Sequence, residues 1–64
     1  MNTVKDTQKE TERALRQRIN ECSGIEGLEA IESKTKKFYD AGTLSVNGLA
    51  RIEKRIMERI ARMI

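Results

Sequence analysis

The sequence SVNGLARIEKRIMERIARMI, residues 45–64, carries the strongest helix signal in the chain. Its apolar residues recur at intervals of three and four, which places them on one stripe of an α-helix. Ser45 precedes the stripe and is a preferred N-cap, because its hydroxyl can accept a hydrogen bond from a backbone N–H of the first turn. A helix with such a stripe needs another surface to cover it. The stripe consists of Leu49, Ile52, Ile56, Ile60 and Met63.

The composition predicts one small domain that is short of stabilising contacts. The chain has 64 residues, and Phe38 and Tyr39 are its only aromatic residues. A single cysteine, Cys22, rules out an internal disulfide, and the absence of histidine leaves too few ligands for a structural zinc site. Domains of this size commonly gain stability from a second subunit or a partner protein. We therefore expect a protein partner or self-association, with no cofactor.

The charges are unevenly distributed along the chain. The net charge is +3, and the two signs cancel over residues 1–44, so the basic excess lies in the last helix. This charge indicates a mild preference for acidic partners. The N-terminus has no apolar run of the signal-peptide type, and no stretch approaches the length of a membrane span. One unpaired cysteine fits a reducing cytoplasm, which is the expected compartment.

Two further helices precede the last one. We predict helices over residues 8–22, 25–40 and 45–63, with residues 1–8 frayed because they have little apolar surface to bury. The apolar stripes before and after Ser23 differ by about 160° on a continuous helical wheel, so one straight helix could not bury both against the same partner. The chain should therefore break near Ser23. No segment alternates with a period of two, and no strand is expected.

The connection between the second and third helices predicts a hairpin. Gly42 can take the positive φ of a helix C-cap, and Leu44 is placed to make the hydrophobic contact that follows such a cap. Only a short turn then separates this cap from Ser45. The second and third helices should therefore form an antiparallel pair within an all-α, three-helix domain.

The apolar surface of the third helix is the leading candidate for a functional site. Three amphipathic helices with few aromatic residues present more apolar stripe than a chain of this size readily hides. We interpret this surplus as a protein-interaction module, and a homodimer with no further role is the simpler alternative. The predicted interface residues are Leu49, Ile52, Ile56, Met57, Ile60 and Met63.

The basic side of the same helix supports a second hypothesis. A helix–turn–helix arrangement with outward arginines resembles an element that reads DNA. The start of the helix, however, offers Val46, Asn47 and Gly48 where such an element favours several polar, base-reading residues. Direct DNA binding is therefore the less favoured alternative, and the arginines are expected to form a charged rim around the interface. These residues are Arg51, Arg55, Arg59 and Arg62.

No set of residues suggests catalysis. The carboxylates of Glu26, Glu29 and Glu32 recur at three-residue spacing, but nothing indicates that they are buried, and a solvated helix face is the better interpretation. We therefore expect neither enzymatic activity nor a small-molecule substrate.

Three short segments are similar to a known family: RINECSGIEGLEAI (18–31), TLSVNGLA (43–50) and RIARM (59–63). The first resembles the junction between helices one and two of the Hha/YmoA proteins, and the others resemble the two ends of that family's third helix. These proteins are small helical modulators that bind the oligomerisation domain of the nucleoid protein H-NS. The resemblance implies a regulator whose partner is a nucleoid or transcription-related protein. Helical hairpins of this kind are also common among phage and plasmid accessory proteins.

The chain departs from the family at the residues that matter for that partner. It has a longer connection between helices two and three, and it lacks the family's aromatic pair in the third helix. Met57-Glu58-Arg59 stands where the family has Asp-His-Arg. Glu58 is then the nearest acidic residue, and it lies out of register with the family's acidic contact residue.

Overall fold

Three α-helices account for most of residues 4–64, the part of the chain that the computed structural model describes. They are α1 (Val4–Glu21), α2 (Ile25–Asp40) and α3 (Val46–Met63). Each helix packs against the other two. The predicted all-α class and the hairpin of α2 and α3 are confirmed, and the predicted ranges of these two helices agree with the structure to within one residue.

The start of α1 differs from the prediction. The helix begins at Val4 and not near residue 8, so residues 4–8 are helical where fraying was expected. The side-chain Nε2 of Gln8 donates a hydrogen bond of 3.3 Å to the backbone carbonyl of Gly42, which connects the start of α1 to the α2–α3 turn. The part of the fraying prediction that concerns residues 1–3 lies outside the described residues.

The predicted break between the first two helices is confirmed. The chain leaves α1 after Glu21 and enters α2 through Gly24, whose backbone is extended. A Cβ atom on Gly27 would collide with the Sγ atom of Cys22. Glycine at this position therefore allows the first turn of α2 to lie directly against the end of α1.

The turn between α2 and α3 is closed by local hydrogen bonds at both helix ends. Gly42 has a φ of +81°, and the backbone N–H of Thr43 donates to the carbonyl of Phe38 at 3.0 Å. This is the Schellman arrangement that satisfies the last carbonyls of a helix. The hydroxyl of Ser45 accepts from the backbone N–H of Gly48 at 3.0 Å. Both predicted caps are confirmed, and Leu44 between them is buried.

The hydrophobic core consists of aliphatic side chains from all three helices and from the turn. Thr35 is the polar residue buried among them, and its hydroxyl donates to the carbonyl of Ile31 at 2.7 Å, so the buried oxygen is satisfied. Cys22, Leu49 and Ile60 are partly buried at the edge of this core. The buried apolar residues are Leu15, Ile19, Leu28, Ile31, Leu44, Ile52 and Ile56.

Two neighbouring residues of α3 test this division between inside and outside. Ile56 is 1% exposed and Met57 is 69% exposed. Ile56→Ala should lower the free energy of unfolding by about 2–5 kcal/mol, or abolish folding, because it leaves a cavity. Met57→Ala should change it by no more than about 0.5 kcal/mol. Urea unfolding followed by circular dichroism, at a concentration where the protein is monomeric, measures both. Equal losses for the two variants would contradict the described core.

Candidate interaction surface on the third helix

Two of the six predicted interface residues lie inside the protein's own core, and two more lie at its edge. Ile52 and Ile56 are each 1% exposed, so neither can contact a partner while the domain is folded. Leu49 and Ile60 pack against the core from its edge. The prediction was wrong for Ile52 and Ile56 because α1 and α2 cover the stripe that the sequence left without a partner.

The two predicted interface methionines lie at the surface. Met57 is largely exposed, and Met63, near the end of α3, is exposed to a smaller degree. Of these two, only Met57 lies in the shallow groove that runs along the outside of α3. Met57 therefore stays a predicted interface residue.

A second set of small and apolar side chains follows the outside of α3, and we call it the outer strip. Its members recur at the helical spacing that keeps them on one face, and this face lies away from the core. Val46 is 62% exposed. Glu53 is a charged residue that lies among these side chains on the same face of the helix. The alanines leave shallow space on both sides of Met57. The outer strip consists of Val46, Ala50, Met57, Ala61 and Ile64.

Sequence reasoning missed most of this strip because the buried stripe of α3 is longer and more strongly apolar. Val46, Ala50 and Ala61 have small side chains, so they contribute little to a hydrophobic pattern. The available signal was their spacing relative to Met57, since residues 46, 50, 57 and 61 are separated by four, seven and four positions.

Arg51, predicted as part of a charged rim, joins α3 to α1. Its Nε donates to Oε2 of Glu12 at 2.8 Å, and its terminal nitrogen donates to Oε1 at 2.7 Å. Such a two-pronged arginine–carboxylate contact is among the stronger and more directional polar interactions. Arg16 makes a third contact, at 3.0 Å, with the same carboxylate.

The two arginines also determine the charge state of Glu12. Hydrogen bonding from Arg51 is the main cause that lowers the pKa of this carboxyl, and the positive charges of Arg51 and Arg16 lower it further. Partial burial acts in the opposite direction and raises the pKa. The hydrogen bonds prevail because they favour the ionised form. Glu12 is therefore ionised at neutral pH, and Arg51 is paired.

Two more of the predicted rim arginines contact the end of α1. The guanidinium of Arg55 donates to the side-chain oxygen of Asn20 at 3.3 Å, and that of Arg59 donates to the carbonyl of Cys22 at 2.7 Å. The Nε of Arg59 is buried without a hydrogen-bond partner. Arg51, Arg55 and Arg59 thus hold α1 against α3, and we call them the arginine clamp.

Arg62 is the predicted rim arginine whose side chain is available to contact another molecule. Among the described residues it has no hydrogen bond or ion pair, and it lies with Lys54 and the arginine clamp along one basic groove. A phosphate group in this groove would compete with Glu12 for Arg51. The arginines assigned to nucleic-acid contact are therefore only partly available for it.

Within residues 4–64, no three His, Cys, Asp or Glu side chains lie close enough together to hold a metal ion. None of the three helices combines the length and the apolar character needed to cross a bilayer.

Replacing Glu12 tests the clamp through its pH dependence. Because folding lowers the pKa of Glu12, its contribution to stability is present above the unfolded pKa of about 4.3 and is lost as the pH falls through the folded pKa. Glu12→Gln should therefore be less stable than the wild type at pH 7, and the difference should shrink at pH 3. Urea midpoints at both pH values measure this, with Glu32→Gln, in an exposed pair with Lys36, as the control. A difference that does not vary with pH would contradict the clamp.

Comparison with known proteins supplies no relative. No protein-family model matches the chain, and no curated protein or solved structure is significantly similar to it. The similarity to the Hha/YmoA proteins therefore stays a prediction, and the function has to be argued from the residues of this chain.

Proposed function

We propose that this protein is a small, non-enzymatic interaction module that binds another protein molecule through the outer strip of α3. The observation that carries the proposal is the exposure of Met57 and Val46 on a helix whose opposite side already fills the core. A solvent-facing helix position is usually polar or charged. An apolar run at helical spacing on the outside is typical of a surface that packs against a partner.

The side chains of the strip suit contact with another helix. Methionine is flexible and adapts its shape to the surface that it meets. Ala50 and Ala61, on the two sides of Met57, allow the backbone of a partner to approach closely. Lys54 and Glu58 lie along one edge of the strip and give its apolar centre a polar margin on that side, a feature of protein interfaces.

DNA binding is a weaker candidate for the described surface. Arg51 is paired with Glu12 and Arg55 donates to Asn20, both on α1, while Arg59 donates to the carbonyl of Cys22 just after α1. Releasing these arginines for phosphates would loosen the contact between α1 and α3. We propose that the arginines chiefly support the surface that α3 presents.

We further propose that the protein acts as a regulator of transcription or nucleoid organisation, or as a phage or plasmid accessory factor. Its proposed location is the cytoplasm.

A single lysine substitution tests the strip. Met57→Lys keeps a good helix former and places a charge at the centre of the surface. Burying a methionine side chain is worth about 1.5–3 kcal/mol, so association should weaken by about tenfold or more. Val4→Lys is the matched control, since Val4 is also 69% exposed but lies on α1. Light scattering, and capture of partners from a lysate of the source cells, measure association for both variants.

The outcome separates the two candidate functions. Both variants should retain the helical signal and thermal stability of the wild type, because neither side chain contributes to the core. If Met57→Lys binds itself and every captured protein as well as Val4→Lys does, the outer strip is not the interface. Binding to duplex DNA that falls steeply with salt and is lost in Arg62→Ala would favour the DNA-binding alternative.

A further inference from the structure

We infer that the molecule bound at the outer strip is a second copy of this chain, with its α3 antiparallel to the first. This inference rests on the function proposed above and names the partner. A two-fold interface uses the same surface on both copies, so the surface must be complementary to itself. The outer strip and the charges beside it meet that requirement in one arrangement.

The apolar residues match when a two-fold axis crosses the helices at the level of Ile56. Each residue of one copy then lies level with the residue of the other copy that is equally far from Ile56 in the opposite direction along the chain. The Met57 side chains of the two copies meet beside the axis. Ala61 of one copy lies within one residue, about 1.5 Å along the helix, of the level of Ala50 of the other, and Ile64 lies within two residues of the level of Val46. The paired alanines allow the helix axes to approach to about 8 Å, the short end of the range for packed helices.

The charged residues match in the same arrangement. Lys54 and Glu58 are four residues apart and lie on one edge of the strip, and neither has a hydrogen bond or ion pair among the described residues. An axis at the level of Ile56 brings Lys54 of each copy level with Glu58 of the other. A two-fold axis perpendicular to antiparallel helices keeps this edge on the same side in both copies. Two reciprocal ion pairs result.

The charge of Glu53 is compatible with this arrangement. Glu53 lies towards the opposite edge of the strip from Lys54. About the same axis, the two Glu53 residues are separated by the rise of six residues, about 9 Å along the helices. The arrangement therefore avoids direct contact between the two Glu53 carboxylates.

A parallel pair does not use these charges. Its two-fold axis runs along the helices and brings each edge of the strip against the opposite edge of the other copy. Lys54 and Glu58 would then face the edge where Leu49 and Ile60 lie, and they could not pair with each other. The position of the charges therefore selects the antiparallel orientation.

Charge reversal and charge exchange test the arrangement. Lys54→Glu and Glu58→Lys each place like charges together at both symmetric pairs, while the double variant restores attraction in the reversed sense. Each single variant should weaken dimerisation by about tenfold, and the double variant should return to within about threefold of the wild type. Sedimentation equilibrium over a range of concentrations gives the dissociation constants. Lys36→Glu on α2 is the control and should leave the constant unchanged.

The possible failures separate this inference from the proposed function. Full recovery in the double variant supports the antiparallel pair, because a different partner protein would not carry the compensating change. A wild-type dimer whose single variants do not weaken it, or whose double variant does not recover, overturns this register. If the wild type stays monomeric while Met57→Lys loses a captured protein, the interaction module stands and the second copy is wrong. A monomeric wild type that also captures nothing through Met57 overturns both.

Discussion

The burial of the inner stripe of α3 is the constraint on which the structure depends. Ile52 and Ile56 share one aliphatic core with Leu15 and Ile19 of α1 and Leu28 of α2. A chain of 64 residues buries a smaller share of its surface than a larger domain does, so this core has few contacts to spare. Both preceding helices are therefore occupied in covering α3, and neither is left to cover its outer side.

The polar contacts between α1 and α3 complement this core. Burial of aliphatic surface favours compactness but has little directional preference. The contact between Arg51 and Glu12 is directional, and it joins residues that are 39 positions apart. Arg55 and Arg59 extend the connection to the end of α1. The arginine clamp thus positions α1 on one side of α3 and leaves the outer strip open on another.

The third helix therefore has three sides in different environments. One side supplies the core, one side binds α1 through arginines, and the remaining side carries Val46 and Met57 into solvent. Because Ile56 and Met57 are adjacent, their opposite environments follow from the helical rotation of about 100° per residue. An interface on the outer strip would be held rigidly, since its helix is packed along its opposite side.

Local features were predictable from the sequence because they depend on neighbouring residues. The caps at Gly42 and Ser45 and the hairpin of α2 and α3 follow from backbone preferences and short-range hydrogen bonds. The break near Ser23 follows from the change in phase between two neighbouring apolar stripes. The tertiary structure alone decided which side of α3 is covered, and it moved Ile52 and Ile56 from the predicted interface to the core. It also paired Arg51 with Glu12. Helical periodicity defines the faces of a helix, whereas the partner of each face depends on packing between residues that are distant in the chain.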